Sequence, residues 1–237
     1  MKTLLLRLSA PMQAWGDESS FEYRRTRREP TKSGVIGMIA SAMGRRRSEN
    51  LNDLYTFRFG VRADREGEDI SRYDFQISHV AKKKNGKYIP LKNGEYEPEE
   101  KSTVLTYRYY LYDAAFLIGL EGDDELVVQA ESALRAPAWP LFLGRRSCPP
   151  AGQVVLGIRD LPLEKALREE PLFDNAAPQN GILRFLIENG TEGGTYYQKD
   201  DPVSFDQRKR MFSLRKVNEF YATVTASALE HDPFSVL

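Results

Sequence analysis

The sequence predicts an α+β protein, and three observations carry that expectation. Apolar residues alternate at strand period over short runs near the start, in the middle and after residue 181. Two stretches, 33–43 and 123–135, repeat their apolar residues at helical spacing instead. Between them a polar segment, 81–102, carries Asn-Gly steps at 85–86 and 93–94, which are signals of tight hairpin turns.

Taken in order, KTLLLRLS (2–9) reads as a first strand that Pro11 ends, and the residues up to Glu29 read as a long loop without a clean period. Val35, Ile36, Ile39, Ala42 and Met43 then share one face of a helix, capped at Thr31 or Ser33 and stopped at Gly44. YTFRFGVRAD (55–64) alternates as a second strand. Residues 70–120 read as strands flanking a protruding hairpin, a thumb spanning about 77–113, with a third strand within 103–121. The tip of that hairpin has few apolar residues to bury. DDELVVQAESALRAP (123–137) is a helix with acids in its first turn, where the dipole favours them, and with Pro137 closing it. A fourth strand is expected near 140–143. The resulting βαββαβ order is that of a ferredoxin-like or RRM-like sandwich. The chain is expected to divide into this domain, 1–145, and a smaller β-rich part, 146–237, with a short helix at 161–170 and strands at 181–190 and 207–224.

Composition narrows the classes. The 237 residues are 41% hydrophobic and 29% charged, as in an ordinary globular protein. No apolar run nears the ~20 residues needed to span a bilayer, so no membrane contact is expected. Arg7 interrupts the early leucines too soon for a signal peptide. A single cysteine, Cys148, excludes an internal disulfide and a multi-cysteine zinc site, and a cytoplasmic location is the simplest reading. With only His79 and His231 and no tight carboxylate cluster, neither a metal nor a cofactor is expected.

Formal charge sums to zero but is unevenly spread. Residues 1–120 hold 21 Lys and Arg against 16 Asp and Glu, whereas 121–237 hold 13 against 18. The stretch 24–47 alone carries eight basic residues and one acid, Glu29. This polarity fits a polyanion at one face and a protein at another, and a solvated charged surface would show the same cluster.

The Lys32-Ser33-Gly34 step resembles the end of a phosphate loop, but no glycine stands where that motif needs one, so nucleoside triphosphate binding is not expected. What remains is a helix N-terminus able to take one phosphate, or a well-capped core helix. Arg145 and Arg146 follow Gly144 in a turn and have the fork geometry that phosphates favour. Lys82, Lys83 and Lys84 on the hairpin suit either backbone tracking or a soluble sheet edge. Of Tyr107, Tyr109, Tyr110 and Tyr112, at most half can face outward to stack on bases. His79 beside the lysines is the one pair that could serve a metal-independent ribonuclease, and a half-buried strand histidine is the simpler reading.

Three stretches together, LLLRLSAPMQAWG (4–16), EPTKSGVIGMIASAMG (29–44) and FLGRRSCPP (142–150), resemble the CRISPR-associated CasD family, within the RAMP superfamily. The resemblance implies a subunit of the type I-E Cascade surveillance complex in antiviral defence. Such a subunit has an RRM-like domain and a projecting thumb, and it holds the 5′ handle of the CRISPR RNA beside the backbone subunit CasC and the large subunit CasA. It further implies a non-catalytic role with no small-molecule substrate. In a sister branch the related protein cuts precursor RNA with a Tyr/Lys/His set, so a metal-independent endoribonuclease acting on CRISPR repeat RNA is the alternative. Matched positions carry RNA contacts onto Met12, Gln13, Lys32, Ser33, Gly34, Arg145 and Arg146. Charge alone adds Arg24, Arg27, Arg28, Arg45, Arg46, Lys82, Lys83, Lys84 and Arg108.

Overall fold

The computed structural model describes residues 1–16, 23–67, 73–81, 83–84, 87–88, 98–172, 181–206 and 210–223. In chain order the strands and helices are β1 Lys2–Ser9, β2 Met12–Gln13, β3 Tyr23–Arg24, α1 Lys32–Ala42, α2 Asn52–Tyr55, β4 Arg58–Arg65 and β5 Tyr73–Ala81. They continue with β6 Lys83–Lys84, β7 Lys87–Tyr88, β8 Pro98–Tyr109, β9 Leu111–Tyr112, β10 Ala115–Gly122, α3 Asp124–Arg135 and β11 Val155–Arg159. The last of the described elements are α4 Leu163–Glu169, β12 Ile182–Glu188, β13 Gly194–Ser204 and β14 Met211–Thr223.

Seven strands form one sheet in the order β11-β1-β10-β4-β12-β14-β13, and every neighbouring pair is antiparallel. Alternation along β1 decides which core each leucine serves. Leu4, Leu6 and Leu8 enter the larger cluster with α1 and α3, while Leu5 faces the smaller one beneath α4. Each fully buried leucine contributes about 1.5–3 kcal/mol of transfer free energy. On the α4 face Gly60 of β4 lies opposite Gly119 of β10. A methyl at either would come within 2.7 Å of Leu167 or 2.4 Å of Leu163, so the glycine pair lets α4 sit close on the sheet. Arg62, fully buried, then closes that helix. Its Nη1 donates to the carbonyls of Leu167 and Glu170, both at 2.6 Å, while Asp64 balances its charge.

Helix α1 begins as the sequence indicates: Thr31 is its N-cap, its hydroxyl accepting from Gly34 N at 3.2 Å, and Gly44 leaves it at φ 74°. Asp123 caps α3 by accepting from Glu125 N and Leu126 N. The expected strand at 140–143 is absent, and the edge beside β1 is β11 instead. The reason is local. Leu143 N donates to Cys148 O at 2.7 Å and Gly144 N to Phe142 O at 3.1 Å, so this backbone closes a loop rather than a ladder. Helix α2 and strand β13 are additions to the sequence reading. The sheet includes strands from both sides of residue 145, since β12 pairs with β4. Strands β5 and β8 pair antiparallel from Tyr73↔Tyr109 to Ala81↔Pro98 in a separate small sheet, and the two Asn-Gly steps lie outside the described residues. Among the described residues no helix is long and apolar enough to cross a membrane.

Candidate nucleic-acid interface

Strand β3 runs parallel to β8, with Tyr23 opposite Tyr107 and Arg24 opposite Arg108. The two tyrosine rings stack at 4.9 Å and 11°. A third arginine arrives from a distant loop. Gly144 turns the chain at φ 84°, and a Cβ there would lie 1.6 Å from Ala14 O, so glycine is obligatory. Cys148 N bonds back to Arg145 O at 2.9 Å and the buried Cys148 anchors the loop from below. Arg145 is thereby held in place. Its Nη2 donates to Arg24 O at 2.8 Å, and its guanidinium lies 4.7 Å from the centre of the Tyr110 ring.

Three guanidiniums thus share one patch. Arg24, Arg108 and Arg145 form no ion pair with a carboxylate among the described residues. Burial, followed by the charges of Arg24 and Arg145, pulls the Arg108 pKa below its ordinary value. Arg145 Nη1 is buried with no hydrogen-bond partner, which leaves a charged donor unanswered. Like charges held together beside stacked aromatic rings can do one thing well: receive an anion with flat neighbours.

The other expected contacts divide clearly. Arg28, Arg46 and Arg146 are exposed, and Arg27 and Ser33 are half-buried. Met12, opposite Tyr112, packs partly against the core. Lys83 and Lys84 lie in β6 opposite Tyr88 and Lys87, and Lys82 lies outside the described residues.

Four of the expected contacts are engaged within the protein. Lys32 is 2% exposed; its Nζ sits 3.0 Å from Glu188 Oε1 and 2.9 Å from Asp201 Oδ1. Its backbone N–H donates to Asp200 Oδ2 at 2.9 Å, so the positive end of α1 is already answered inside the protein. Gln13 is fully buried: its amide donates to Leu8 O and Ala114 O and accepts from Trp15 Nε1. Gly34 is a packing glycine, because a Cβ would meet Trp15 and the Thr31 hydroxyl at 2.9 Å. Arg45 binds Asp53 through two bonds, at 2.6 and 2.5 Å, which raises its pKa and satisfies its charge.

Sequence reasoning passed over Tyr23. The signal was an aromatic residue directly before two arginines, but the parallel pairing that stacks it on Tyr107 spans more than eighty residues and has no local mark.

The chain belongs to the family described as CRISPR-associated protein (Cas_Cas5), whose model matches residues 3–218. It is similar to the CRISPR system Cascade subunit CasD of Escherichia coli (strain K12), with 32% identity over 163 residues, covering 65% of this chain and 70% of that one. Among solved structures, a chain of a CRISPR RNA-guided surveillance complex superposes with a TM-score of 0.76 at 33% identity, covering 95% of this chain and 92% of the other. A second, described as a Cas protein, gives a TM-score of 0.69 at 35% identity, covering 94% and 95%. The fold is accordingly a mixed α/β, largely antiparallel one of the kind seen in those structures.

Proposed function

We propose that this chain is a non-catalytic, RNA-binding subunit of a type I-E Cascade complex in the cytoplasm, and that it caps and holds the 5′ handle of the CRISPR RNA. The observation that carries this reading is the Arg24, Arg108 and Arg145 patch, three guanidiniums brought together with no carboxylate paired to them among the described residues. A phosphate of single-stranded RNA would balance the charge of the three guanidiniums, and Tyr23 and Tyr107 offer ring surface to an adjoining base. Arg27, Arg28, Arg46 and Arg146, with Lys82, Lys83 and Lys84, extend the landing area in this reading. The four strands β11-β1-β10-β4 with α1 and α3 support a ferredoxin-like core, and β5 with β8 supports a projecting thumb. Neighbouring subunits of the CasC and CasA kinds would meet other faces.

The test is binding of a labelled CRISPR-repeat RNA by the full chain, with a chelator present. The reading expects a complex that weakens in Arg108→Ala and Arg145→Ala, with the RNA left intact. Specific cleavage that vanishes in His79→Ala would overturn the non-catalytic part and favour an endoribonuclease.

A further inference from the structure

Helix α4 packs on β1, β4 and β10, and the same sheet face continues past it over β14 and β13. The helix side of that margin is closed by Arg168, whose guanidinium lies 4.7 Å from the Phe220 ring centre. The Asn218 amide donates to Thr195 Oγ1 at 3.0 Å one step further out. Beyond that pair four side chains stand in the open. Register places Tyr197 opposite Lys216 and Lys199 opposite Leu214, so aromatic or aliphatic and basic residues alternate in a two-by-two block. Tyr197 is 68% exposed and Leu214 63%, and both lysines are exposed.

Edge lysines alone protect a sheet from pairing with another chain. That does not explain a tyrosine and a leucine held out in water between them. The alternative residues of the same strands, Gln198, Asp200, Arg215 and Val217, are buried on the opposite face, so this is a deliberate second surface of one hairpin. A sheet face with one exposed ring and two cations adjacent to it, one across the strand and one along it, has the chemistry of a base platform: the ring takes a base of any identity and the cations take flanking phosphates. An acidic polypeptide would meet the lysines, whereas a nucleotide meets the lysines through its phosphate and the exposed Tyr197 ring through its base.

We propose that Tyr197, Lys199, Leu214 and Lys216 form a second landing surface for single-stranded RNA, on the sheet face away from α1 and separate from the Arg24, Arg108 and Arg145 patch. It rests on the reading of the chain as an RNA-binding subunit. Tyr197 stacks one base, Leu214 supports its edge, and the two lysines hold the backbone.

The experiment uses the full chain and a single-stranded RNA carrying 4-thiouridine, cross-linked and mapped by mass spectrometry, alongside fluorescence anisotropy. Cross-links are expected in the peptide bearing Tyr197 as well as those bearing Tyr23 and Tyr107. Tyr197→Ala should weaken binding about ten-fold, as the loss of one stacked base does, and Tyr197→Phe should restore it. Lys199→Ala with Lys216→Ala should reduce the salt slope by about 1.4, for two single-strand phosphate contacts. Cross-links confined to Tyr23 and Tyr107, with affinity unchanged in Tyr197→Ala, would overturn this surface and leave the first site standing. Cross-links at none of the three would overturn the RNA reading itself. RNA affinity that is retained in these variants while a co-purifying polypeptide is lost would assign the face to protein and so reject the proposal.

Discussion

Lys32 and Glu188, 156 residues apart in the chain, meet at 3.0 Å beneath the start of helix α1. Around them Asp201 takes the same ammonium, and Glu188 accepts from Phe59 N at 3.0 Å. Arg215 binds Asp200 at 2.6 Å. The motif that looks most like a phosphate cradle is therefore an internal tie between α1 and the last three strands. Lys32→Ala should cost about 3–5 kcal/mol in urea unfolding, because it strands the buried Glu188 carboxylate. RNA binding by the folded fraction should keep its salt slope. A reduced slope with unaltered stability would return Lys32 to the RNA interface.

Arg145 is the opposite case, a guanidinium that pairs with no carboxylate among the described residues and instead donates to Arg24 O beside Arg108. Arg145→Ala is expected to weaken RNA binding by about 1.5–3 kcal/mol, the range for a hydrogen bond to a charged group. The salt slope should fall by about 0.7. Arg145→Lys keeps the charge without the fork, so titrations at several salt concentrations should show the slope recovering and the affinity recovering only in part.

Gly144 sets the position of that arginine. A methyl there collides with Ala14 O, and its φ of 84° is unfavourable to any other residue. Gly144→Ala should lower the calorimetric melting temperature, and it should also weaken RNA binding by moving Arg145 off Arg24. Melting that falls while RNA affinity holds would show that the loop does not position the guanidinium.

The Tyr196 hydroxyl provides a pH test of the buried charge network. Burial, and after it the charges of Glu29 and Glu219, push its pKa up to about 12. An unfolded tyrosine ionises near pH ~10. Stability tied to the neutral phenol is therefore complete below the unfolded value and is lost as pH rises through the folded one. Tyr196→Phe should flatten the alkaline limb of the stability profile between those values. An unchanged limb would place the cause elsewhere.

Local chemistry made much of the fold legible. Leu4 through Leu8, the Thr31 cap and the Asp123 cap are each written within a few residues of where they act. What escaped depends on partners far along the chain. Lys32 reads as a free cation until Glu188, Asp200 and Asp201 are placed beside it. Arg24 and Arg108 were visible as charges, but only the β3–β8 pairing and the Gly144 turn bring them together with Arg145. Apolar residues 141–143 suggested a strand because hydrophobicity marks burial, not which backbone groups are free to pair.

The tie between α1 and the last strands has a consequence in time. A ribosome makes Lys32 more than 150 residues before its anionic seat, which is Glu188, Asp200 and Asp201. Until then the helix carries an unmatched cation against apolar strands, and β4 lacks its neighbour β12. An interrupted translation product would thus carry the arginines of the first half without a settled scaffold behind them, open to proteases.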